Sequence, residues 1–197
     1  MKVEKKAGKG RQNYGAGANG SVADKKKFRN TILGILFILP CVLYINTLGH
    51  DYAFDDSVGI TDNQYTKQGI KGIPKLLTED FFAGIYDKGL ELGGGRYRPL
   101  SLITFAIEYQ FFGANPFIGH LVNMLLYALT IIVLFKMLEE IFPENFWLCA
   151  ITSALFAAHP IHTEVVANIK SRDEILSFLG LCLTPVSYTH LTLPTNR

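Results

Sequence analysis

Cysteine is scarce in this chain. Only Cys41, Cys149 and Cys182 occur in 197 residues. All three lie inside apolar runs, and none has CxxC or zinc-ligand spacing, so they are packing residues. No secretory leader is expected either, because the first apolar run starts too late and has no small-residue cleavage site. Overall charge is small, +2. The one feature that would suit nucleic acid is a basic amino end, and no nucleic-acid partner is expected.

Apolar surface is abundant. Hydrophobic residues make up 49% of the chain and come in blocks, which points to an all-α polytopic membrane protein. Residues 1–30 carry nine Lys or Arg against Glu4 and Asp24, whereas residues 49–115 carry six against nine acids. A basic end ahead of the first apolar run predicts a cytoplasmic amino terminus. Residues 1–30, rich in Gly and Lys, read as a disordered tail. The first span is expected over about 31–48, with Pro40 kinking it rather than ending it.

A long extracytoplasmic loop should follow, over about 49–115. Its apolar pairs, broken by Gly and Pro, suggest short helices lying on the membrane. Pro99 suits the first turn of a helix from Leu100 to Phe112. That helix is too short to span and reads as interfacial, with Glu108 and Gln110 on it. Later spans are expected over about 117–138 and 142–158, with a fourth starting over 172–183. The stretch from 185 to 197 resembles translated sequencing-adapter DNA and is expected to be a non-native tail.

With the amino terminus inside, three polar blocks fall on the outer side: Asp55-Asp56, Arg96 with Arg98, and His159 to Asp173. Either aspartate can serve as general base toward a hydroxyl, and both, with His159, are candidate ligands of Mg or Mn. Arg96, Arg98, Lys170 and Arg172 can neutralise a phosphate. His120, His159, His162 and Glu164 are expected to line the site. A transporter or ion-coupled protein is the rival reading, but it would place polar groups near the bilayer midplane, at broken helices. Here they gather at helix ends.

The order of four motifs adds a resemblance. They are Phe54-Asp55-Asp56, Tyr97-Arg98-Pro99-Leu100-Ser101, His120-Leu121-Val122-Asn123, and His159-Pro160-Ile161-His162-Thr163-Glu164. Over about Thr31 to Leu183 the chain resembles the transmembrane and tetratricopeptide-repeat O-mannosyltransferases and their bacterial relatives. That resemblance implies part of a C-type glycosyltransferase helical bundle, with the catalytic aspartate, Asp55 or Asp56, in the first outer loop. It also implies a polyprenyl-phosphate sugar donor, mannose by default, and a protein acceptor. Arg98, His159, His162, Glu164 and Arg172 match motif positions of the family.

Overall fold

The computed structural model describes residues 15–85 and 97–192; for 15–22, 54, 55 and 188–192 it describes the backbone alone. All regular structure among the described residues is helical. The helices are α1 (Gly15–Tyr44), α2 (Phe54–Gly59), α3 (Gln64–Lys67), α4 (Ile73–Thr78), α5 (Pro99–Phe112), α6 (Pro116–Ile141), α7 (Phe146–Ala158), α8 (His162–Ala167) and α9 (Arg172–Thr192). Two compact units divide the chain between Gly34 and Ile35. The packing and the site described below lie in the second.

The disordered tail expected over 1–30 is corrected in part, since α1 already starts at Gly15. Extending a helix one residue at a time costs far less than starting one, so an apolar helix can propagate back through Lys25-Lys26-Lys27. Residues 1–14 lie outside the described residues. Two segments, Ala23–Gly49 and Pro116–Ile141, are long and apolar enough to cross a membrane. At about 1.5 Å per residue, the 26 residues of α6 reach roughly 39 Å, beyond the ~30 Å of hydrocarbon.

The expected third span is shorter than 142–158. Ile141 ends α6 and Phe142 caps it, so neither lengthens α7. Its 13 residues rise only about 20 Å. Trp147, Leu148, Ile151 and Leu155 on α7 are all more than half exposed, an apolar stripe that water would disfavour and lipid would not. The helix expected to begin at Arg172 does so, and α9 continues through Pro185 to Thr192.

α6 packs against both α7 and α9. Val133 and Leu134 of α6 meet Leu179 and Cys182 of α9, with Phe156 of α7 stacked on Phe178 at 5.0 Å. A second core lies under the loop helices. There Ile60, Leu76 and Phe81 pack on Leu102, Phe105 and Ala106 of α5 and on Ile169. The loop is therefore a folded layer on α5 rather than a tether. Gly113, at φ 63°, ends α5. Two residues later the Asn115 side chain accepts the Phe117 N–H and opens α6.

Candidate active site

Asp56 joins two of the polar blocks. It occupies the third position of α2, where its Oδ2 accepts the Ala53 N–H at 2.9 Å. Its Oδ1 accepts the Lys170 N–H at 2.7 Å, across 114 residues of sequence. The residue is fully buried, with one backbone N–H donated to each carboxylate oxygen. Asp55 is its neighbour on α2, with its side chain outside the described ones. Beside them, burial and the nearby carboxylates of Glu108 and Asp56 push the Tyr52 hydroxyl up to about 12, so it remains a neutral hydroxyl.

Arg172 begins α9 and is also fully buried. Its Nε donates to Asn123 Oδ1 at 2.7 Å, and Nη1 donates to Thr104 Oγ1 at 2.9 Å and to Glu108 Oε1. Nη2 donates to Glu108 Oε2 at 3.2 Å and to the Gly119 carbonyl at 3.1 Å. All five guanidinium hydrogens are thereby engaged, and the guanidinium carbon sits 4.5 Å from the centre of the Phe105 ring. The phosphate-binding role expected of Arg172 meets this obstacle: no donor remains for a ligand. What the residue does is pin α5, α6 and α9 together. Burial pushes the Glu108 carboxyl above its ordinary range, and Arg172 pulls it part of the way back.

Asn123, from the HLVN motif, extends this network. Its Nδ2 donates to the Asn168 and Ile169 carbonyls at 3.0 and 3.3 Å. Gly119 matters for its lack of a side chain, because an added Cβ would lie 2.7 Å from Ile169 Cδ1. Ile169 is itself fully buried. Gly119→Ala is expected to cost about 1–3 kcal/mol through overpacking, read as a lower melting temperature of purified protein. Unchanged melting would mean that α6 does not approach the Ile169 turn this closely.

Arg98 and Asp173 join the second block to the third as an ion pair, their side chains 43% and 13% exposed. The pair stands at a cleft of about 610 Å³ between the start of α5 and the outer face of α9. Leu100, Leu176, Phe178 and Leu181 supply its apolar walls. Tyr97 donates its hydroxyl to the Leu77 carbonyl at 2.6 Å, which anchors the segment presenting Arg98. Arg96 lies outside the described residues. Lys170 is half-buried, and its backbone N–H serves Asp56.

Of the histidines, His120 alone lies by this assembly: it is buried, within electrostatic reach of Asp56 and beside the Asp51 backbone, with its ring 6.1 Å from that of His50. His159 is exposed, and its Nδ1 accepts the Ile161 N–H at 3.3 Å. His162 lies over Phe156 at 4.2 Å, and burial, then His159, lowers its proton affinity. His159 and His162 line a separate shallow cleft with Thr152 and Leu155. Glu164 is exposed. Among the described residues no three His, Cys, Asp or Glu side chains gather to hold a cation. With Asp56 held by backbone amides and His159 directed elsewhere, Asp56 and His159 do not fit the expected Mg or Mn centre.

Comparison with known proteins bears on this geometry. The chain is 34% identical over 150 residues to the human "Protein O-mannosyl-transferase TMTC1", covering 75% of this chain and 17% of that protein. It is 35% identical over 157 residues to the Xenopus laevis "Protein O-mannosyl-transferase tmtc2", covering 76% and 18%. To the Drosophila melanogaster "Protein O-mannosyl-transferase Tmtc1" it is 33% identical over 151 residues, covering 76% and 17%. By sequence, the chain is similar to proteins named protein O-mannosyl-transferases. It spans less than a fifth of the length of these curated relatives. No family model and no solved structure matches it.

Sequence reasoning overlooked Glu108 and Thr104 as partners of Arg172. A signal was there: the two are four residues apart, so they share one face of a helix. Asp173 stood inside a recognised block without a role. Its pairing with Arg98, 75 residues away, follows only from how α9 packs on α5.

Proposed function

We propose that this chain is part of an integral-membrane glycosyltransferase that moves a sugar, mannose by default, from polyprenyl phosphate to a protein hydroxyl on the extracytoplasmic side. One observation supports the reading most. The three polar blocks meet through the Asp56–Lys170 and Arg98–Asp173 contacts, and the second of these, with its partly exposed arginine, lines a cleft with apolar walls. An apolar wall suits a prenyl chain and a guanidinium suits its phosphate. In the C-type bundle this assembly occupies the outer loops.

The chemistry needs a base, a leaving group and an anion-binding donor. Asp55 takes the acceptor hydroxyl's proton, since the Asp56 carboxylate is committed to two backbone amides. The acceptor oxygen bonds to the anomeric carbon as the bond to the phosphate oxygen breaks, inverting that carbon. The electron pair leaves on polyprenyl phosphate, whose negative charge Arg98 steadies. Asp56 is the positioning residue that ties the Asp55 helix to the Lys170 turn. The names of the relatives lend nothing to the transporter reading, which is set aside.

Arg98→Ala in the full-length protein tests the donor site. Loss of a charge-assisted contact is worth about 1.5–3 kcal/mol. KM for the polyprenyl-phosphate sugar should therefore rise roughly 10- to 100-fold, with a smaller change in kcat. Unaltered donor saturation would rule the cleft out.

A further inference from the structure

The geometry points to Asp173 as an internal stand-in for the donor's phosphate, one that holds Arg98 while the cleft is empty and drives out the spent lipid after transfer. This rests on the donor-cleft reading above. Asp173 is well sheltered, 13% exposed, whereas Arg98 is 43% exposed, so the carboxylate forms the inner half of the pair and the guanidinium the outer half. Arg172 has every donor engaged. Arg98 spends its guanidinium on Asp173 alone among the described residues. A ligand phosphate entering this cleft must therefore take Arg98 from Asp173, or share it.

The charge on the lipid changes during the reaction, and this gives the arrangement a direction. The sugar-bearing donor is a phosphodiester with one negative charge. The spent lipid is a monoester, with about −1.5 to −2 at neutral pH. A fixed carboxylate beside the phosphate repels both, and repels the product more. Glu174 also lines the cleft and adds to the same field. Asp173 thus weakens donor binding slightly and product binding substantially, which favours turnover over product retention. Its place in the first turn of α9 is independently favourable to the helix, so a purely structural role is the alternative to be distinguished.

The test uses the full-length protein in lipid nanodiscs, with Asp173→Asn and Arg98→Ala made separately. Three quantities are read: KM for the polyprenyl-phosphate sugar, the inhibition constant of polyprenyl monophosphate, and the melting temperature. Partly exposed ion pairs are modest, so Asp173→Asn should lower KM about threefold and the inhibition constant about tenfold. The ratio of the two is the diagnostic, because loss of a helix-end charge alone would lower melting without moving it. Unchanged or raised constants in Asp173→Asn, while Arg98→Ala still impairs donor binding, overturn the role of Asp173 and leave the cleft standing. If Arg98→Ala alters neither constant, the cleft reading fails and this inference with it. Should Asp173→Asn not accumulate, Asp173→Ser removes the same charge and is judged by the same ratio.

Discussion

Arg172→Met should be the most destabilising single change in the described part of the chain, costing about 3–5 kcal/mol. The substitution removes the cation but leaves the Glu108 carboxylate inside, 18% exposed, along with an orphaned Asn123 Oδ1 and a Gly119 carbonyl without its donor. Each buried polar atom left unpaired adds its own penalty. The measurement is thermal melting of the purified protein, with yield of folded material as the fallback if none survives. Pairing Arg172→Met with Glu108→Leu should recover much of the loss, since an apolar pair of similar volume avoids the uncompensated charge. If the single variant melts like wild type, the network does not hold the three helices together.

The second large effect separates the two aspartates. Asp55→Asn should lower kcat of the full-length protein by about 10²- to 10⁴-fold, the usual contribution of a general base, and leave melting nearly unchanged. Asp56→Asn should do the reverse. An amide presents one acceptor and one donor group where Asp56 accepts two N–H bonds, so one bond is replaced by a donor facing a donor. That should cost about 1–3 kcal/mol of stability, with activity falling only as far as folded protein is lost. A severe kcat defect in Asp56→Asn at wild-type melting, with Asp55→Asn active, would exchange the two roles.

Several elements were legible from the chain alone. Pro99 marked the start of α5, and the apolar runs expected from about 117 and 172 became α6 and α9. These are local signals, set by proline's fixed φ and by apolar run length. The meeting of three distant polar blocks was also anticipated, from the side of the bilayer on which they should fall. Individual roles were not. Arg172 and Arg98 look alike in sequence, two arginines near helix starts, yet one is sealed among five acceptors and the other stands at a cleft.

The sequence by itself determined that this protein is helical, that it carries long apolar segments suited to a membrane, and that its ordered motifs resemble those of the O-mannosyltransferases. Those properties follow from apolar run length, proline placement and ordered motifs, which need no knowledge of what touches what. Only the tertiary structure decided which charges are available. The availability of a guanidinium depends on whether carboxylates and carbonyls from other helices have already used its hydrogens. Those partners come from residues roughly 50 to 70 positions away, and only the packing of α9 on α5 and α6 brings them within hydrogen-bonding reach.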